Sequence, residues 1–234
     1  MGGQACILYG AAEFSRDADL AVLASAENLD HLRLALADLR AEVIAVPALD
    51  ATYLERGHAV HFRCGREDVA GLRVDLMSRM RGVEPFERLW ERRTTFTLDV
   101  EEEQLVLDAL SLPDLVAAKK TQRDKDWPMI RRLVEANYLL FRTAPSSARV
   151  TFWLRELRTP SLLIECSREH SAEVPGVTRP AAEAALVGEE ALVERRLAAE
   201  QAREVELDRA YWAPLRAELE QLRRAQRTTG SRRP

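Results

Sequence analysis

Cysteine is sparse in this sequence: of 234 residues only Cys6, Cys64 and Cys166 are cysteines, far apart and odd in number. Such a set supplies neither a disulfide framework nor a Cys-based zinc site, and it reads as buried thiols in a reducing compartment. Histidine is nearly as scarce. His31, His58, His61 and His170 contain no His-x-x-x-His pair, and His58 and His61, at the edges of an expected strand, read as structural or solvent-facing rather than as metal ligands. No run approaches the roughly 18 apolar residues that span a bilayer. The start, Met1-Gly2-Gly3, shows no basic segment followed by an apolar stretch, so no secretory leader is expected, and the expectation is a cytoplasmic protein that makes no membrane contact. A strong excess of one charge is missing too. With 34 Lys and Arg against 38 Asp and Glu the net charge is −4, which exerts no general pull toward nucleic acid.

What is present is an ordinary globular balance, 47% hydrophobic and 31% charged, enough for one moderate domain or two small ones with a real apolar core. The first hundred residues mix helix and strand signals, and the last ninety are almost purely helical in pattern, which makes an α+β chain. Gly2-Gly3 and the apolar Ala5 to Tyr9, closed by Gly10, predict a small helix opening on a glycine turn. Asp19 to Ala24 reads as a buried strand. Asn28 to Arg40 reads as a helix with a wide apolar face of Leu29, Leu32, Leu34, Leu36 and Leu39.

Alternation in Val60, Phe62 and Cys64, and again in Leu72, Val74 and Leu76, predicts two half-buried strands joined as a hairpin through Arg66-Glu67-Asp68 and Gly71. A short helix over 84–92, a strand pair over 94–100 and 104–110, and a helix starting at Ser111-Leu112-Pro113-Asp114 follow. Helices are expected at 127–142, 150–157 and 161–169, with 143–147 as a linker. A single long amphipathic helix, kinked at Pro214, is expected over 181–226, with a fraying tail containing Arg223, Arg224, Arg227, Arg232 and Arg233.

Chemistry concentrates in Ser15-Arg16-Asp17-Ala18-Asp19-Leu20. Residues two apart on a strand point the same way about 6.6 Å apart, so Asp17 and Asp19 can aim at one point. Two carboxylates near 4 Å repel by roughly 4 kcal/mol at an effective dielectric of 20, and such a pair calls for water or a cation between them. A Mg²⁺ ion with oxygen ligands at about 2.1 Å meets that need and leaves positions open for phosphate. A solvated, capping turn is the plainer reading of Asp-x-Asp. Asp75, on a strand whose Leu72, Val74 and Leu76 face the core, points to the other side, either as a third carboxylate or as an ion-pair partner of Arg73. Gly2-Gly3 at a helix start leaves backbone N–H groups free for a polyphosphate.

Together these residues resemble the DNA polymerase β-like nucleotidyltransferase superfamily, in its small prokaryotic branch of minimal and abortive-infection type enzymes. Gly2-Gly3-Gln4-Ala5, Gly10 and Ser15-Arg16-Asp17-Ala18-Asp19-Leu20 follow that branch's spacing. Ser111 to Lys119 with Arg123-Asp124-Lys125-Asp126 is similar to its second motif. The resemblance covers about residues 1 to 140.

It implies an α+β fold, a small mixed β-sheet nucleotidyltransferase fold with helices on one side. The catalytic domain would span 1–110, helices completing the nucleotide cleft 111–145, and a helical C-terminal extension 146–234. Asp17, Asp19 and Asp75 would be the catalytic and metal-binding carboxylates for two Mg²⁺ ions, with Asp75 also able to take the acceptor's proton. Gly2, Gly3, Ser15, Arg16, Lys119 and Arg123 would contact a nucleoside triphosphate such as ATP. Lys125 lies on the same border, and Arg123 has Asp126 as an alternative partner. The reaction implied is transfer of a nucleoside monophosphate to a hydroxyl on protein, RNA or a small molecule.

Two departures stand out. The branch normally has a strand, and often a helix, before the Gly-Gly at which this sequence starts, so either the start is truncated or an edge strand is missing, and loss of that strand would leave the glycine loop weakly anchored. Glu13 also stands where many relatives carry Arg. The alternative expectation is a catalytically weak protein of this fold, acting in a toxin–antitoxin pair. Its stripe of Leu207, Tyr211, Leu215, Leu219 and Leu222 would dock on a protein partner or a second copy, or else pack on the chain's own core. Contact between the arginine tail and RNA is a lesser expectation, because lysine occurs only at 119, 120 and 125 and arginine is simply the chain's usual cation.

Overall fold

Alternating apolar residues build the central feature, a four-stranded mixed sheet. The computed structural model describes residues 1–101 and 103–230. In chain order, α1 (Gly2–Leu8) leads to β1 (Asp17–Ala21), α2 (Ala26–Asp38), β2 (Glu42–Val43), α3 (Ala51–Arg56), β3 (Val60–Arg63) and β4 (Arg73–Met77). The spatial order is β1-β4-β3-β2. β1 runs parallel to β4, while β3 is antiparallel to both β4 and β2. The expected β3–β4 hairpin is present, with a 3₁₀ turn at Glu67–Val69 and Gly71 at a positive φ of 85°. Val60, Phe62, Val74 and Leu76 point to one side of this sheet and close a core with Val22, Leu29, Leu36, Leu54 and Cys64. Each fully buried aliphatic side chain there contributes about 1.5–3 kcal/mol.

Two expectations about this core need correction. The strand 19–24 is not wholly buried: β1 starts at Asp17, lies at the sheet edge, and leaves Leu20 exposed. On α2 the apolar face is narrower than expected. Leu29, Leu32, Leu36 and Leu39 meet the core, but Leu34 is 71% exposed, because helical geometry turns it away from that stripe. Ser25 caps α2 by accepting from Asn28 N at 3.2 Å.

After the sheet come α4 (Phe86–Glu91), the hairpin β5 (Thr94–Val100) and β6 (Glu103–Ala109), and α5 (Leu112–Ala118), close to the expected spans. The Tyr9 hydroxyl reaches Thr94 Oγ1 at 2.8 Å and the Leu110 carbonyl at 2.9 Å, tying α1 to the hairpin base. Asp114 anchors the start of α5: Ser111 Oγ donates to it at 2.6 Å, and the Arg92 guanidinium grips it with two N–H groups.

Helices fill the rest: α6 (Asp126–Phe141), α7 (Ser147–Glu156), α8 (Pro160–Glu169), α9 (Val174–Val177), α10 (Pro180–Val187) and α11 (Glu190–Gly230). The expected single helix over 181–226 is two. Gly188, in the left-handed conformation at φ 80°, ends α10, and α11 then continues through Pro214. The expected tail residues Arg232 and Arg233 lie outside the described residues, and Arg223, Arg224 and Arg227 are exposed.

By contact density the chain divides into two compact units. One joins Met1–Ala118 to the C-terminal segment that begins at Ala210, and the other is Lys119–Arg209. The second has its own core around Trp153, Tyr138, Ile130 and Leu163, with Trp153 edge-on to Tyr138 and donating to Asn137 Oδ1 at 2.8 Å. In the first, the C-terminal segment is held at the end of α3. Leu215 is buried, Tyr211 meets Gly57, and Glu218 Oε2 lies 2.8 Å from Nε2 of the fully buried His58 and also pairs with Arg56. Of the expected stripe, Leu215 thus packs on the chain itself, whereas Leu207, in the other unit, is exposed.

Candidate functional site

The side of the sheet opposite the core carries charge. Since Val60, Phe62, Val74 and Leu76 face inward, His61, Arg73 and Asp75 face outward. The parallel ladder then fixes the third strand: Asp19 stands beside Asp75 and Asp17 beside Arg73. Neighbouring strands lie about 4.8 Å apart. Asp17, Asp19 and Asp75 therefore share one face, as the alternation pattern implied, with Arg73 and His61 among them.

Helix α1 closes one side of this group. A Cβ on Gly2 would overlap the Asp19 carboxylate, and one on Gly3 would overlap the Ser15 side chain, so only glycine permits the approach. Gly2 also sits at φ 68°, a conformation that favours glycine. The Met1 amine donates to the Asp19 carbonyl at 2.8 Å, and Ser15 Oγ donates to the Asp17 carbonyl at 3.1 Å. Arg16 is exposed, with its guanidinium 5.9 Å from the Phe14 ring centroid, and Glu13 is exposed as well.

Asp75 is the most enclosed member, its side chain 12% accessible. Arg73 Nε donates to its Oδ1 at 2.8 Å, His61 Nδ1 lies 2.8 Å from that same oxygen, and Arg73 Nη2 stands 3.0 Å from His61 Nδ1. Burial is the largest single influence on the Asp75 carboxyl and works against its charge. The bonds and charges of His61 and Arg73 together outweigh it and hold the group below the ordinary carboxylate range. The pairing of Asp75 with Arg73, one of the two roles open to it from sequence, is therefore present. Asp75 nonetheless keeps its place beside Asp19.

His61 escaped the sequence reading as a site residue. Its signal was available, because a residue between Val60 and Phe62 on an alternating strand must face away from the core. Only the antiparallel register, which sets His61 opposite Asp75, gives it a partner.

Lys119 and Arg123 belong to the second unit, where both meet Asp126. Lys119 Nζ is 3.4 Å from Oδ1, and Arg123 Nε donates to Oδ2 at 2.8 Å alongside Thr121 Oγ1 at 2.6 Å. Arg123 thus makes the alternative pairing noted from sequence.

The donor chemistry suits a hard divalent cation: three carboxylates on one surface, with no soft ligand among them. As the side chains stand, no group of three or more His, Cys, Asp or Glu among the described residues is arranged to hold a metal ion. At this face Arg73 is the ion-pair partner of Asp75. Its charge is also felt by Asp17 and Asp19. No protein-family model, curated protein or solved structure matches the chain.

Proposed function

We propose that the chain is a metal-dependent nucleotidyltransferase that moves a nucleoside monophosphate from a nucleoside triphosphate to a hydroxyl acceptor. The observation that carries this reading is the register that sets Asp19 beside Asp75, with Asp17 two residues away on the same face. The Gly2-Gly3 backbone fitted against Asp19 and Ser15 supports it, since a Gly-Gly helix start closing on an Asp-x-Asp strand is what the family resemblance requires.

In this proposal Asp17, Asp19 and Asp75 hold Mg²⁺, which when bound neutralises triphosphate charge and acidifies the acceptor hydroxyl. Gly2 and Gly3 let the triphosphate come close, and Ser15 and Arg16 stand at its side. The acceptor oxygen forms a bond to the α-phosphorus, the bond to pyrophosphate breaks, and the hydroxyl proton passes to a carboxylate or to solvent. Asp75, held below the ordinary carboxylate range, serves better as a ligand than as the proton acceptor. Lys119 and Arg123 lie in the second unit, both paired with Asp126, and the proposal does not rest on them.

Calorimetric titration with ATP, GTP, CTP and UTP in the presence of Mg²⁺ tests the binding step. The expected result is saturable binding of at least one triphosphate that EDTA abolishes. No binding of any of the four would reject the proposal.

A further inference from the structure

We infer that a recess at the open edge of β1, walled by α4, binds a nucleobase, whose ring stacks on Trp90 and whose hydrogen-bonding edge meets the backbone of Ala21. The inference deepens the reading above and rests on it for the placing of the phosphates.

The strand edge supplies a donor and an acceptor over a single residue. Val22 N, just past β1, donates to the Met77 carbonyl of β4 at 2.9 Å. Backbone groups alternate in direction along a strand, so Ala21 turns its N–H and C=O away from β4, toward the open edge. The outward carbonyls on either side are taken. The Met1 amine donates to that of Asp19 at 2.8 Å, and Asn28 Nδ2 donates to that of Leu23 at 2.8 Å. Between them, the N–H and C=O of Ala21 have no hydrogen-bond partner among the described residues. One residue is too short a stretch to pair with a further strand. It does match the edge of a base, which carries a donor and an acceptor side by side.

The aromatic platform is built in advance. Trp90 is 47% exposed, although it follows the buried Leu89 on α4. Its ring lies alongside Phe86, with centroids 5.9 Å apart and planes 20° from parallel. Arg93 fixes it: the guanidinium carbon stands 4.0 Å from the Trp90 ring centroid, Nη1 donates to the Trp90 carbonyl at 2.9 Å, and Nε pairs with Asp108 at 3.1 Å. Met1, Leu20, Ala21, Trp90 and Leu110 are among the walls of the recess. Ala21, Phe86 and Trp90 also line a second recess toward Asn28, so the aromatic pair is reached from two sides. A flat ring with a polar rim suits these walls; an aliphatic occupant would cover the Ala21 donor and acceptor and leave them unpaired. Ala21 lies two residues beyond Asp19, about 6.6 Å along the strand. A nucleotide with its base in the recess therefore has its phosphates directed to the carboxylate face.

Nucleosides are the probe, because they carry the base without phosphate or metal. Adenosine, guanosine, cytidine and uridine are titrated, without Mg²⁺, into ¹⁵N-labelled wild type, Trp90→Ala and Trp90→Phe. Saturable binding of at least one nucleoside is expected, with the Ala21 amide becoming protected from hydrogen exchange in wild type. Trp90→Ala is expected to weaken it by roughly 5- to 140-fold, the range set by loss of one stacked base, and Trp90→Phe, which keeps a π-face, by less. Competition between the nucleoside and a triphosphate with Mg²⁺ assigns the base to the donor nucleotide, whereas joint occupancy assigns it to the acceptor.

No nucleoside binding by wild type, equal affinity in a folded Trp90→Ala, or an Ala21 amide still exchanging freely at saturation overturns the inference. Mg²⁺-dependent triphosphate binding alongside any of these leaves the nucleotidyltransferase reading standing. Nucleoside binding that needs Trp90, in a protein that takes no triphosphate, upholds the base recess and overturns that reading instead.

Discussion

Gly57→Ala is expected to loosen the attachment of the C-terminal segment, by an amount that divides into two measurable parts. Gly57 ends α3 in the left-handed region at φ 102°. An L-residue there costs about 1–2 kcal/mol, with the upper end apt for so large a φ. The new Cβ would also overlap the Tyr211 hydroxyl, while the next atoms, Tyr211 Cζ at 3.5 Å and Leu215 Cδ1 at 3.6 Å, lie at ordinary contact. Forcing the ring back resembles overpacking a core, which costs about 1–3 kcal/mol.

Tyr211→Phe removes the overlapping oxygen and nothing else in that contact. In the Tyr211→Phe background, Gly57→Ala should therefore cost only the backbone part, about 1–2 kcal/mol, and the double-mutant cycle should return a coupling of about 1–3 kcal/mol. Urea titrations of the four proteins, followed by Trp fluorescence and far-ultraviolet circular dichroism, give the numbers. Equal costs in both backgrounds would refute the placement of Tyr211 over Gly57, and no cost in either would refute the left-handed turn.

Three further outcomes follow from the same physical reasoning. Gly2→Ala should displace the Asp19 carboxylate by an ångström or so and lower Mn²⁺ affinity and any turnover by roughly 100-fold, with circular dichroism little changed; wild-type values in the variant would contradict the fit of α1 against β1. Glu218 is held below its ordinary range chiefly by its hydrogen bond with His58, with burial opposing and Arg56 assisting. Its contribution is complete above about pH 4.3 and is lost as pH falls through the lower folded value. Urea midpoints measured from pH 6 downward should drop less steeply in Glu218→Gln than in wild type. Burial above all, with Glu169, Glu165 and Glu173 adding to it, pushes the Cys166 thiol up to about 12. A thiol reagent at pH 8 should leave Cys166 untouched until the protein unfolds, and prompt labelling in native buffer would count against the enclosed position of α8.

What the sequence reveals depends on how many residues cooperate in each signal. The β3–β4 hairpin was legible because Val60, Phe62, Val74 and Leu76 repeat a period of two, and the same period put Asp75 on the face away from the core. β2, of two residues, is too short to express a period and went unread, and α3 went unread with it. The steps of three, four and seven that run through 181–226 hid the break at Gly188, since a single glycine scarcely disturbs such a pattern. For the site, the two-residue spacing put Asp17 and Asp19 on one side and alternation put Asp75 on the face away from the core, but that these are the same face depended on the parallel register. Pairing of Asp75 with Arg73 was one of two roles open from the spacing, whereas the approach of His61 to Asp75 depended on the antiparallel register, which is not written in local spacing. The fully buried His58 shows the same limit. Its partner Glu218 lies 160 residues away, beyond the reach of any local pattern.

The central claim is that Asp17, Asp19 and Asp75 act as one chemical unit on a nucleoside triphosphate. Its most direct measurement is pyrophosphate release and label transfer from each α-labelled triphosphate, in millimolar Mg²⁺, by wild type and by Asp17→Asn, Asp19→Asn and Asp75→Asn. The account predicts Mg²⁺-dependent release by wild type and its loss in each of the three folded variants. Release that persists in any of them, or no release by wild type with any of the four triphosphates, would contradict it.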